Sequence, residues 1–250
     1  MLDFENVTFS WSKEKAPLIK DLSFHVTPGA FVALIGVSGC GKSTIFKLIN
    51  RLIQPASGQI LIRGEDIGKS RGPAGYMPQK DLLFPWRTIR RNLMLPMEIA
   101  RVPAKEMEER TSAMLEEIGL ADYADKYPHD LSGGMRQRVS FGRTLLTDAD
   151  LLLLDEPFSA LDALTRINMQ EWLLKEWSRY HKTVLFITHD VEEAIFMSDQ
   201  IYLVHDRPIR SLEVIDVPAD RPRTRDLLTR PDIVQLKSSL VDRLRKEASL

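Results

Sequence analysis

Apolar positions along the chain change period several times, and each change marks an element. Leu2 to Phe9 alternates, with Leu2, Phe4, Val7 or Thr8 and Phe9 on the apolar side, and Leu22 to Val26 repeats the alternation. A period of two predicts strands of an antiparallel sheet that is buried on one face. Phe31-Val-Ala-Leu-Ile35 is instead continuously apolar and ends at a glycine, as a strand covered on both faces of a parallel sheet does. Ser43 to Leu52 then sets Ile45, Phe46, Leu48, Ile49 and Leu52 at helical spacing, so the order is strand, glycine-rich turn, helix.

Pro103 to Leu120 predicts another helix, with proline in its first turn, Met107, Met114, Leu115 and Ile118 along one side, and Gly119 near its end. Residues 85–146 contain no convincing strand and read as a helical insertion. Leu151 to Leu154 is the next buried strand, Ala163 to Tyr180 a helix, Thr183 to Ile187 a strand and Val191 to Met197 a helix. This alternation predicts a mostly parallel sheet flanked by helices. Beyond Asp206 the pattern weakens, Asp220 to Arg225 reads as a polar connection, and a last helix runs from Pro231 to Arg245. The expected organisation is one domain over 1–220, with a helical subdomain at about 85–146, and a helical tail over 221–250.

Composition narrows the partners. Within 250 residues, 34 Lys and Arg face 35 Asp and Glu, a balance that argues against nucleic acid. Residues 221–250 hold eight basic and four acidic side chains, which suits a solvated tail helix better than one lying on anionic lipid. The single cysteine, Cys40, permits no internal disulfide and fits a reducing compartment. No leader-like segment opens the chain, and no apolar run approaches the roughly 18 residues of a membrane span. The chain is therefore expected to be soluble, with any membrane-spanning part on a separate polypeptide.

Gly36-x-x-x-x-Gly41-Lys42-Ser43 lies between the buried strand and the amphipathic helix. In this setting backbone N–H groups converge on phosphates at a helix N-terminus. The candidate binding loop comprises Gly36, Val37, Ser38, Gly39, Cys40, Gly41, Lys42, Ser43 and Thr44. Lys42 would reach the outer phosphates, and the Ser43 hydroxyl would hold Mg²⁺. Leu151-Leu-Leu-Leu-Asp155-Glu156 ends a buried strand in two adjacent carboxylates, which a strand would point to opposite faces. Asp155 suits the Mg²⁺ shell, and Glu156 suits activation of an attacking water. The fold class is thus α/β, a phosphate-loop NTPase core with an antiparallel β subdomain before it and a helical subdomain inserted.

Leu131-Ser132-Gly133-Gly134-Met135-Arg136-Gln137-Arg138 offers a hydroxyl, two glycines and then helical residues, a second helix N-terminus able to bind an anion. With these motifs in this order, the chain resembles the ATP-binding-cassette family over nearly all its length. The resemblance implies that Ser132, Gly133 and Gly134 close on the γ-phosphate of ATP held by a partner subunit, so that two ATP molecules join a homodimer. It further implies that Ser159 to Asp162 crosses the same seam, that Gln79 senses Mg²⁺ and the γ-phosphate, and that His189 contacts the γ-phosphate and steadies the water. Trp11 matches the family's adenine-stacking aromatic, with Phe9 as the rival. Lys42, Gln79, Glu156 and His189 are the expected catalytic set.

Asp81-Leu-Leu-Phe-Pro-Trp-Arg87 is unusually apolar for a loop leaving such a site, as docking patches are. By resemblance, the stretch from Gln79 to Arg87 meets a transmembrane permease subunit, with Leu83, Phe84 and Trp86 as the contact and burial inside the helical insertion as the competing reading. The implied function is the ATPase of a membrane importer, peripheral on the cytoplasmic face and indirectly served by a solute-binding protein. Importers of nitrate, sulfonates, taurine or thiamine-pyrimidine precursors are the most similar. A soluble cassette acting on nucleic acid or the ribosome is the alternative.

Overall fold

The computed structural model describes residues 1–12, 16–69 and 74–248. The chain begins with strands β1 (Leu2–Phe9), β2 (Ile19–Val26) and β3 (Phe31–Gly36), then helix α1 (Lys42–Ile49) and strands β4 (Ser57–Ile62), β5 (Glu65–Asp66) and β6 (Gly75–Met77). Helices α2 (Ile89–Ile99), α3 (Ala104–Glu117) and α4 (Gly133–Leu145) lead to β7 (Leu151–Asp155) and α5 (Ala163–Tyr180). Strand β8 (Thr183–Ile187), α6 (Val191–Met197), β9 (Gln200–Val204), β10 (Glu213–Asp216) and α7 (Pro231–Ala248) complete the order.

Two compact units emerge. The first joins Met1–Ala74 to His181–Leu250. Its antiparallel sheet has the order β2-β1-β4-β5, and β3 is flanked by β8 and β9, both parallel to it, with β10 antiparallel to β9 at the edge. Every residue of β3 and β8 is buried, as their unbroken apolar runs require. The second unit, Gly75–Tyr180, holds the parallel pair β6 and β7 together with α2 to α5. Its helical core gathers Ile89, Leu93, Met97, Met114, Leu115 and Val139, with Trp172 of α5 packed against it. The architecture is an α/β phosphate-loop core with a mixed, largely parallel sheet, an N-terminal antiparallel β subdomain and inserted helices.

Three local expectations change. Helix α1 stops at Ile49 because Arg51 adopts φ 58 and the Leu52 N–H turns back to the Lys47 carbonyl at 2.9 Å, which leaves Leu52 exposed. The polar connection after Asp220 is a fastening: Arg223 donates to the carbonyls of Ile195 (3.0 Å), Ser198 (2.6 Å) and Ala219 (2.8 Å). Burial pushes the Arg223 pKa down to about 10, so it stays charged at neutral pH, and these carbonyls compensate its lost hydration. Helix α7 is correspondingly not a solvated tail. Its Ile233 and Leu240 are buried, and α7 packs against α6.

Candidate functional site

In the first unit the phosphate loop leaves the end of β3 and enters α1 through Gly41, whose φ is 118. That helix start has neither a side-chain cap nor an acidic residue in its first turn, so its positive end is left for an anion. Lys42 is buried, and its ammonium donates to the carbonyls of Gly36 (2.8 Å) and Val37 (3.0 Å). The cation is thereby curled inside its own loop, while Ser43 and Thr44 follow in the first turn of α1.

Trp11 is 57% exposed and Phe9 only 6%, so Phe9 belongs to the core and braces the indole edge-on at 5.1 Å. Lys47 of α1 stands over the indole at 5.4 Å. Trp11 also lines a cavity of about 330 Å³ with Pro17, Leu18, Arg207 and Pro208, a flat apolar wall with a cationic rim. His189 lies between β8 and α6. Its neighbours are fixed: Thr188 donates to Glu193 at 2.7 Å, and Asp190 caps α6 by accepting from the Glu192 and Glu193 N–H groups.

In the second unit β7 ends on Asp155, which is buried at 6% exposure, and the Tyr76 hydroxyl of β6 lies 3.5 Å from its Oδ2. Burial, and then the charge of Asp155, push the Tyr76 pKa up to about 12. Glu156 is not a further strand residue facing the opposite side. Its φ of 50 turns the chain out of the sheet, and the Ser159 N–H and hydroxyl both donate to its carbonyl. The turn frees the Glu156 carboxylate from strand alternation, and Gln79 Nε2 donates to it at 2.9 Å.

Ser132 caps α4 by accepting from the Met135 N–H at 3.3 Å, and it is followed by Gly133 and Gly134 at the helix start. A Cβ on Gly134 would lie 3.3 Å from Leu161, and Gln137 donates to the Pro157 carbonyl at 2.8 Å. The Ser-Gly-Gly helix start and the turn after Glu156 are therefore packed together. Asp162 accepts from the Thr165 N–H at the start of α5, and hydrogen bonding to Thr165 holds its carboxyl below the usual range.

Arg136 and Arg143 were not legible as site residues. Arg136 bonds the Asp81 carboxylate at 2.9 Å and the Leu131 carbonyl at 2.7 Å. Arg143 holds the carbonyls of Asp81 (2.9 Å) and Leu82 (3.0 Å). The loop after Gln79 is thus clamped to α4. Within it Leu82 takes φ 43 and faces out, Leu83 enters the helical core, and Trp86 is 71% exposed. The expected outward trio thereby loses Leu83 to packing, and Leu82 takes its place. No signal short of the fold marks the pairings with Asp81 and Leu82, whose members are 55 to 62 residues apart. Among the described residues no group of three or more His, Cys, Asp or Glu side chains could hold a metal alone, and no helix is long and apolar enough to cross a membrane.

Residues 19–159 match the ABC transporter family model. The formylaminopyrimidine import ATP-binding protein of Halalkalibacterium halodurans is 42% identical over 240 residues, covering 96% of this chain and 93% of its own. The nitrate import ATP-binding protein NrtD of Synechococcus elongatus is 37% identical, with 96% and 90% covered. A solved dimeric post-hydrolysis state of the ATP-binding cassette MJ0796, bound to ADP and Pi, superposes with a TM-score of 0.77 at 26% identity, over 88% of this chain and 100% of that one. The chain belongs to the ABC transporter family and is one of its ATP-binding-cassette ATPases.

Proposed function

We propose that this ATPase powers a membrane importer of a small solute, acting as a homodimer at the cytoplasmic face of the membrane. Each ATP would lie on the phosphate loop and Trp11 of one copy and under Ser132, Gly133 and Gly134 of the other, with Asp162 at the seam. The dimeric cassette structure among the matches supports this arrangement. Glu156 would take the proton of the attacking water, oriented by Gln79 and His189, while Lys42 neutralises the outer phosphates.

Magnesium fits the donors present. Asp155 is a buried hard-oxygen ligand at a strand end, and the Ser43 hydroxyl and Gln79 amide are oxygen donors of the same class. Bound there with the phosphates, Mg²⁺ would neutralise charge on the transferring group. The exposed Leu82 and Trp86 would dock a permease subunit, to which a solute-binding protein delivers cargo. Formylaminopyrimidine and nitrate relatives support a small polar solute of that range.

The observation that carries the reading is Glu156, turned out of its strand at φ 50 and hydrogen-bonded to Gln79. Glu156→Gln should keep ATP binding and form a stable dimer on ATP in light scattering. Its turnover should fall by roughly 10²-fold or more, the usual weight of a general base. Hydrolysis near the normal rate would refute the proposed role.

A further inference from the structure

We infer that Arg207, in the turn between β9 and β10, is a positioning residue for nucleotide, fixing the Gly39–Cys40 peptide so that the Cys40 N–H faces into the phosphate loop. The inference rests on the proposed role of that loop as the ATP site. Arg207 Nη2 donates to the Gly39 carbonyl from outside the loop. Across a trans peptide the C=O and N–H point in opposite directions, so fastening one aims the other. The Cys40 N–H is indeed turned inward, 3.3 Å from the Val37 carbonyl, the same oxygen that accepts Lys42 Nζ at 3.0 Å.

Such a fastening matters at this peptide. Rotation of the Gly39–Cys40 plane changes ψ of Gly39 and φ of Cys40, and on the Gly39 side no Cβ restrains it, so the plane is held less firmly there than between two residues with side chains. A flipped plane would present a carbonyl oxygen to the phosphates, which repels them. A guanidinium on that oxygen opposes the flip, and a permanently charged planar donor suits the task.

The turn that carries Arg207 is itself anchored. The Ile209 N–H donates to the Leu18 carbonyl and the Lys20 N–H to the Ile209 carbonyl, both at 2.9 Å. A Cβ on Gly41 would lie 2.9 Å from Ile209 Cδ1, so the turn also presses on the far end of the phosphate loop. Arg207 lines both the cavity beside Trp11 and a second cavity of about 460 Å³ bounded by Val37, Ser38 and Cys40. One side chain therefore ties the proposed base side to the phosphate side.

The test compares wild type, Arg207→Ala and Arg207→Lys in three measurements. These are the Cys40 amide signal by NMR without nucleotide, the Kd for a fluorescent ATP analogue, and steady-state KM and kcat. Arg207→Ala should shift or broaden the Cys40 amide and raise Kd and KM about fivefold, as loss of one exposed charge-assisted hydrogen bond does. Its kcat at saturating ATP should stay within about twofold, and its Tm should match wild type. Arg207→Lys should recover part of the affinity. An unmoved Cys40 amide, or an unchanged Kd in Arg207→Ala, overturns the inference. Because the amide is read without nucleotide, a shifted signal in a protein that binds no ATP would support the peptide clamp and sink the ATP-site reading alone.

Discussion

Replacing Arg136 by Met removes one of the two arginines that clamp the loop after Gln79 to α4, leaving the Arg143 contacts in place, and the structure sets the size of the effect. The Arg136–Asp81 ion pair spans 2.9 Å with the side chains 35% and 31% exposed, so solvent screens much of its Coulomb energy. Such a pair contributes about 0.5–1 kcal/mol. The 2.7 Å bond from the same guanidinium to the Leu131 carbonyl adds about 1 kcal/mol after similar screening. A loss of about 2 kcal/mol lowers Tm by roughly 5 °C in a chain of this size. Calorimetry on Arg136→Met, Asp81→Asn and the double variant isolates the pair, whose coupling energy should be about 0.7 kcal/mol and should shrink in 1 M salt as the Debye length falls to about 3 Å. Additive single effects, or a coupling indifferent to salt, would refute the clamp.

Gly58 has φ 82, and a Cβ there would lie 2.3 Å from the Asn6 carbonyl oxygen, so Gly58→Ala should cost more than about 2 kcal/mol in urea unfolding; wild-type stability would contradict the β1–β4 register. Leu240→Ala should cost about 2–4 kcal/mol, because the side chain is fully buried, whereas Val234→Ala on the exposed face should stay within about 0.5 kcal/mol; equal effects would mean that α7 is not docked. Tyr76 is an acid whose folded pKa, about 12, exceeds the ordinary tyrosine value of 10.0, so the folded state keeps a proton that the unfolded state loses. Its share of stability is present below pH 10 and is lost as pH rises toward 12. Tyr76→Phe should flatten that alkaline loss in unfolding curves, and an unchanged alkaline slope would speak against the burial of the Tyr76 hydroxyl beside Asp155.

Legibility followed the range of the interactions. Strands β3, β7 and β8 are continuous apolar runs, and α3, α5 and α6 carry helical spacing or caps within their own residues, so local reading suffices for them. Strands β4, β5 and β6 carry no such pattern and gain their register from their partners, β4 from β1, β5 from β4 and β6 from β7. Leu83 looked like its neighbour Leu82 until a left-handed backbone at Leu82 decided which of the two is buried.

Residue order alone determined the chemistry on offer. The spacing of Gly36, Gly41, Lys42 and Ser43, the paired acids after four leucines, and the Ser-Gly-Gly helix start are each encoded within eight residues, where chain connectivity already imposes proximity. Tertiary structure alone decided what surrounds them. Gln79 reaches Glu156 across 77 positions and Arg207 reaches Gly39 across 168, and closing such loops is favoured only when the whole core supplies the free energy. The same dependence explains why Arg223 and α7 read as solvated: a charged side chain enters the interior only where folding gathers enough carbonyls to replace its water.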